Sequence, residues 1–315
     1  MRFTVIGEAL VDLVARRDDP SAFTAHAGGS PYNVAITLGR LGESVAFVGQ
    51  CGGDGFGSVL TAKLRDSGVD LAAWRTLELP TSLAVATLDA SSQARYGFYF
   101  EGTAGLCFDA GAIPPGDVLH VGSIASWHPS SAPVVQAQLA SVRARGETLV
   151  SFDPNVRPAL MPDHAAAVAE IEKCVASAHV VKASDEDVAW LYPDVPLPAV
   201  ARRWCELGAR LVVVTRGRDG AVGYGSAGEL AAVPAPWITV ADTVGAGDSF
   251  AGGLLAALAV RGLAHPAKLS SAVESRDAAL VDALHVAVTV SAITCERPGA
   301  DPPTRAELDA RLRSS

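Results

Sequence analysis

Short, largely apolar runs rich in Val, Leu, Ile and Phe recur along the chain, at Phe3–Ile6, Val45–Val48, Val118–Val121, Leu149–Phe152, His179–Val181 and Leu211–Thr215. Strands that are apolar on both faces need cover on both faces, as in a parallel sheet held between helical layers. Ala/Leu-rich helical stretches separate the runs, over Pro31–Leu41, Gly57–Ser67, Ala132–Arg145, Asp163–Ser177, Pro198–Leu207, Ser249–Arg261 and Asp277–Cys295. The alternation predicts an α/β fold with a mostly parallel central sheet. Two segments break the rhythm. Ala22–Ala27 and the pair Leu83–Asp89/Arg95–Glu101, joined by the hairpin-length link Ala90–Ala94, read as antiparallel strands of a small β lid on the main sheet. The tail Thr304–Arg313 reads as a short helix, opened by Thr304 and Glu307 at capping-box spacing. No linker, repeat or low-complexity tract interrupts the pattern, so residues 1–315 read as one domain with lid strands near 22–27 and 83–101.

Composition narrows the function. Apolar residues make up 49% and charged residues 19%, enough to bury a sizeable core. The formal charge of -9 repels nucleic acid and anionic lipid, so neither is an expected partner. An anionic substrate would need local cations, helix N-termini or a metal to offset that field. Five cysteines with no C-x-x-C pair predict reduced thiols in a cytoplasmic protein rather than disulfides or a zinc site. Glu8 and Asp12 directly follow the first apolar run, which argues against a signal peptide. His285 and hydroxyl residues interrupt the apolar run Leu284–Cys295, which predicts a buried helix rather than a membrane span.

The most specific segment is Asp242-Thr-Val-Gly245-Ala246-Gly247-Asp248, followed by the helical Ser249-Phe-Ala-Gly-Gly. Its glycines let the backbone turn tightly and approach a ligand. The helix that follows aims unpaired N–H groups back at the loop, which makes an anion hole for phosphate or for charge developing on it. Asp248 lies at its mouth, where the helix N-terminus favours an ionised carboxylate able to accept a proton from an attacking hydroxyl. Upstream, Gly28-Gly29-Ser-Pro-Tyr-Asn33 pairs glycines, which bring backbone N–H groups close to a polyol, with a side chain that both donates and accepts. Gly223-Tyr-Gly225-Ser-Ala-Gly228 matches a dinucleotide fingerprint, but Glu229–Pro236 cannot open the helix that fingerprint requires, so a β-hairpin turn is expected there. No G-x-x-x-x-G-K-[ST], G-x-S-x-G or H-E-x-x-H occurs, which argues against a P-loop kinase, an α/β-hydrolase and a zinc protease.

Together the two Gly-rich segments resemble the two signatures of the ribokinase-like (PfkB) carbohydrate kinases, and Gly7-Glu8-Ala-Leu-Val-Asp12 is most like the fructokinases among them. The resemblance runs from Phe3 to about Pro303 and implies a ribokinase-like three-layer fold. It implies an ATP-dependent sugar kinase with Asp248 as base and Gly245, Ala246 and Gly247 as anion hole. Asp12, Gly28, Gly29, Asn33, Phe98 and Arg157 would bind the sugar. Ser184, Thr215, Gly217, Gly220, Gly247 and His285 would border the nucleotide. Asp242, Val244 and Gly299 would surround potassium, and Asp187 would act on magnesium. The implied cofactors are ATP, Mg2+ and K+, the partners sugar and ATP, with a homodimer through the lid as an option. Fructose leads as acceptor; 2-keto-3-deoxygluconate, ribose or a nucleoside are alternatives, as is a non-catalytic binding protein of the same fold. In Lys182-Ala-Ser184-Asp-Glu-Asp187, Ser and Asp stand where the family often has Asn and Glu, which predicts altered magnesium or phosphate dependence.

Overall fold

The computed structural model describes residues 1–16, 19, 21–88, 94–109, 111, 113–114 and 116–314. In chain order its strands are β1 (Arg2–Ile6), β2 (Leu10–Ala15), β3 (Phe23–Gly28), β4 (Ser44–Gly52), β5 (Trp74–Leu77), β6 (Leu83–Leu88), β7 (Ala94–Tyr99), β8 (Val118–Gly122), β9 (Leu149–Asp153), β10 (Val180–Ser184), β11 (Leu211–Thr215), β12 (Ala221–Gly225) and β13 (Gly228–Val233). The α-helices are α1 (Ser30–Arg40), α2 (Gly55–Asp66), α3 (Ser123–Trp127), α4 (Ala132–Arg145), α5 (His164–Ala176), α6 (Asp185–Leu191), α7 (Leu197–Leu207), α8 (Ala246–Val260), α9 (Pro266–Ser275), α10 (Ala278–Cys295) and α11 (Arg305–Ser314).

Nine strands form one sheet in the order β13-β12-β11-β10-β9-β8-β1-β4-β5. It is parallel from β5 to β11, and β12 and β13 add an antiparallel hairpin at one edge. That hairpin is where the Gly223–Gly228 segment turns, as its sequence predicts. Strand alternation sends side chains to two separate cores. Phe3, Val5, Leu149 and Val180 pack with α1, α8 and α10, whereas Ile6, Val150, Phe152 and Val181 pack with α4, α5 and α7. By the same alternation Asp153 and Lys182 face the α1/α8 side. The apolar run Leu284–Cys295 lies within α10, which packs along α8. Although α10 is long and apolar enough to cross a membrane, more than half of it is buried inside the fold.

A second sheet has the order β3-β2-β6-β7. The sequence showed three of these strands. It hid β2, whose run LVDLVA carries Asp12 at its centre, and the four-residue β5 of the large sheet. Asp89, at the end of the predicted strand, and residues 90–93 of the predicted link lie outside the described residues. Cross-strand register aligns His26, Asp12, Ala84 and Phe98 in one row on one face of the small sheet. Asp54 fastens this sheet to the large one. It caps α2 by accepting from the Gly57 amide at 2.8 Å, and it also accepts from the Thr81 amide (2.8 Å) and hydroxyl (2.7 Å) just ahead of β6.

Candidate active site

The parallel strands β1, β8, β9, β10 and β11 end on one side of the large sheet, where open α/β sheets place their ligands. The residues after β1, at the ends of β9 and β10, and at the start of α8 meet there. Gly245 opens α8 with a left-handed φ of 76°, and a Cβ there would lie 2.6 Å from that of Ala300. No side chain caps the helix; the Ala246 amide donates to the Thr243 carbonyl at 3.2 Å, and those of Gly247 and Asp248 remain available to an anion. The Ala246 carbonyl accepts from the hydroxyls of Ser249 (3.0 Å) and Ser291 (2.9 Å), which ties the loop to α8 and α10.

Asp248 is in the first turn of α8 and is buried. Asn33 Nδ2 donates to its Oδ2 at 2.8 Å, so the two Gly-rich segments of the sequence meet at this carboxylate. The Ser30 hydroxyl lies beside it without good hydrogen-bond geometry, and Ser30 Oγ and Asn33 Oδ1 are both buried and unpaired. Burial raises the Asp248 pKa, while Asn33, Ser30, Lys182 and Arg157 pull against it. Burial thus holds the pKa above the ordinary carboxylate value, which makes Asp248 a stronger base than a surface Asp.

Lys182 was not singled out by its sequence. From β10 its Nζ donates to Asp153 Oδ2 at 2.9 Å, and both side chains are almost fully buried. Burial works against the ammonium, but Asp153, Asp187 and Asp248 outweigh it and raise its pKa. A Cβ on Gly247 would sit 2.9 Å from this Nζ, so glycine at 247 leaves the ammonium facing the loop.

Asp12 projects from β2 toward the same space. A Cβ on Gly28 would lie 2.1 Å from Asp12 Oδ2, so only glycine admits the carboxylate there. Burial pushes Asp12 up to about 6, with Arg157 pulling down and Asp248 pushing up. Gly29 has a φ of 110°, and a Cβ there would meet the Glu8 carbonyl at 2.5 Å. Arg157 is half-buried; its Nη1 donates to the Val156 carbonyl at 2.9 Å, and its charge acts on Glu8, Asp12 and Asp248. Phe98 stacks on Phe100 (centroids 6.2 Å apart) on the Asp12 face of the small sheet, while Tyr99 points away and is exposed.

Beyond Lys182 lies the Thr215–Gly220 turn. The Thr215 hydroxyl donates to the Ala183 carbonyl at 3.4 Å, and Gly217 and Gly220 have φ of 50° and 86°. At Asp242, Oδ1 accepts from the Val244 amide (3.1 Å) and Oδ2 from the Gly299 amide (2.8 Å). Asp242, Val244 and Gly299 therefore do converge, around a carboxylate with further lone pairs free for a cation.

A model of the pfkB family of carbohydrate kinases matches residues 2–307. The chain belongs to that family. Among its relatives is a fructokinase of Rhizobium leguminosarum bv. trifolii, 38% identical over 258 residues, 80% of this chain and 78% of that protein. The structure of a fructokinase from Xylella fastidiosa with bound ATP is similar over 100% of this chain and 99% of that one, with a TM-score of 0.90 and 29% identity. A double mutant of the Vibrio cholerae O395 fructokinase, with fructose, ADP and potassium bound, covers 98% of this chain and 97% of its own, at a TM-score of 0.84 and 28% identity. The chain is thus an ATP-dependent sugar kinase of ribokinase-like fold.

Ser184 and Asp187 form a capping box on α6: the Asp187 amide donates to Ser184 Oγ at 3.0 Å, and the Ser184 amide to Asp187 Oδ2 at 2.9 Å. Asp187 Oδ1 accepts from the Val156 amide at 2.8 Å, so each of its oxygens holds one backbone amide. His285 is exposed on α10. Asn33 directs its amide at Asp248, and its Oδ1 is buried without a partner.

Proposed function

We propose that this kinase transfers the γ-phosphoryl group of ATP to a hydroxyl of fructose. The observation that carries the reading is Asp248: a buried, basic carboxylate at an uncapped helix N-terminus, held by Asn33 and facing Lys182. Asp248 takes the proton of the attacking hydroxyl. The amides of the Gly245–Gly247 turn and the Lys182 ammonium offset the charge on the phosphoryl group in flight, and no covalent protein intermediate is needed. Asp12 and Arg157 hold sugar hydroxyls, and Phe98 lies against ring carbons as the small sheet closes over the sugar like a lid. The unpaired Ser30 Oγ and Asn33 Oδ1 support a polar ligand here, since buried polar groups without partners are uncommon. Magnesium would enter with the nucleotide, because no three His, Cys, Asp or Glu side chains converge among the described residues. It would supply further charge neutralisation at the phosphates. We place the reaction in the cytoplasm, in keeping with five free thiols.

A coupled ADP-release assay with a panel of sugars tests the reading: fructose should give the highest kcat/KM, and no stimulation by any sugar would overturn it. Asp12→Ala should lower kcat/KM for fructose at least ~tenfold, the cost of leaving a substrate hydroxyl and its partners unpaired, with little change in the ATP KM. Unaltered fructose kinetics would reopen the identity of the acceptor. Asp242 beside Val244 and Gly299 supports a potassium site that fixes the geometry of the loop leading into Gly245. Potassium should therefore stimulate the rate over sodium or choline at fixed ionic strength, and equal rates in all three would remove the cation from the scheme.

A further inference from the structure

Glu8 has no part in the scheme above, yet it lies at the foot of the sugar site. It follows β1 and is 1% exposed. Its loop is wedged under the start of α1: a Cβ on Gly7 would strike Pro31 at 2.2 Å, and one on Gly29 would strike the Glu8 carbonyl. Glu8 Oε2 accepts from the Ala125 amide at 2.9 Å, and Oε1 is buried without a partner. The short helix α3 it grips begins under strain, with Ser123 at a φ of 56°, a left-handed conformation unfavourable for any residue but glycine. The far end of α3 is fastened to the segment that leads into Arg157, where Trp127 Nε1 donates to the Pro154 carbonyl at 2.9 Å. Glu8 thus bridges the strand carrying Asp12, the strained turn and the segment carrying Arg157.

We propose that Glu8 is a positioning residue for the sugar site, whose carboxylate locks the Ser123–Trp127 turn against the loop beneath Gly29 and holds the Arg157 guanidinium toward Asp12. The proposal rests on the sugar-kinase reading. Arg157 is the charged group that faces Glu8; Ser123 and Ala125 of α3 and the backbone of Gly29 are its other neighbours. Asp12 from β2 and Asp248 from α8 act on the same guanidinium. Without the Glu8 charge, Arg157 keeps the Val156 carbonyl and the pull of those two carboxylates, and the turn loses an anchor. The effect falls on the sugar, because the Thr215–Gly220 turn follows β11, four strands away from β1.

Burial pushes Glu8 up to about 7, against the Ala125 amide, the Ser123 hydroxyl and Arg157. The holding form is ionised, so it predominates above about pH 7 and is lost as pH falls through that value. The fructose KM of the wild type should therefore rise between about pH 8 and pH 6. Glu8→Gln keeps an acceptor for Ala125 but no charge. It should raise the fructose KM ~tenfold at pH 8, the scale of one lost charge-assisted contact, with kcat and the ATP KM within about twofold of wild type. The part of the pH dependence centred near pH 7 should vanish with it. A wild-type fructose KM and pH profile in Glu8→Gln would overturn the proposal. Should that variant fail to fold, calorimetry of fructose binding to the wild type, at pH 7 in buffers of different ionisation heat, gives the answer. Asp12 is then mostly ionised, and net proton release on binding is expected from Glu8; none would overturn its role. If the wild type phosphorylates fructose while Glu8→Gln behaves like it, only the role of Glu8 falls. If no sugar is phosphorylated, the sugar-kinase reading falls and this proposal falls with it.

Discussion

Asp248→Asn is expected to lower kcat by ~10²–10⁴, the usual range for loss of a general base, with nucleotide binding little changed. Asparagine preserves the shape and can still pair with Asn33, so the variant should fold. What it lacks is a site for the proton of the sugar hydroxyl. The carboxylate it replaces is buried, and that burial raises its pKa. The sign of the pH effect follows. The active form is ionised, so the wild-type rate should fall as pH drops, along a limb above the ordinary range for Asp. In Asp248→Asn the residual rate should lack that limb. Steady-state kinetics across pH, with nucleotide affinity measured separately, make the check. More than a tenth of wild-type kcat in the variant would remove Asp248 from the role.

The meeting of Asn33 and Asp248, 215 residues apart, was only half legible in the sequence. Each lies in a Gly-rich segment whose chemistry can be read locally, because glycine, helix start and polar residue are close neighbours in the chain. That the Asn amide would hold the Asp was not readable, since it depends on how α1 packs on α8. The strand runs were legible because a parallel sheet buries both faces of each strand. β2 was not, because Asp12 interrupts its apolar pattern for the sake of the site. The capping box at Thr304–Glu307 was recognised by spacing, and the same Ser/Thr-x-x-acid spacing stands at Ser184–Asp187. The raised pKa of Asp248 was not legible for a different reason: a helix end can be read from sequence, whereas desolvation depends on every neighbour the fold supplies.

Lys182 shows the same limit most sharply, and its replacement should have the second large effect. A lysine in the strand run VVKAS carries no local sign of its partner, since Asp153 comes from a neighbouring strand 29 residues earlier. With side chains 7% and 1% exposed, the pair is sheltered from solvent screening. Lys182→Met leaves Asp153 buried and unpaired, which should destabilise the fold by ~3–5 kcal/mol. It also removes the cation facing Gly247, and loss of one such stabilising group typically lowers kcat by ~10²–10³. The two losses can be separated. In the double variant Lys182→Met/Asp153→Asn the buried charge is gone from both partners, so most of the stability measured by urea unfolding should return. The rate should not, because the phosphoryl group still finds no ammonium beside the anion hole. Recovery of kcat together with stability would make the pair a structural element alone, and would leave the amides of the Gly245–Gly247 turn as the principal protein groups offsetting the transferred charge.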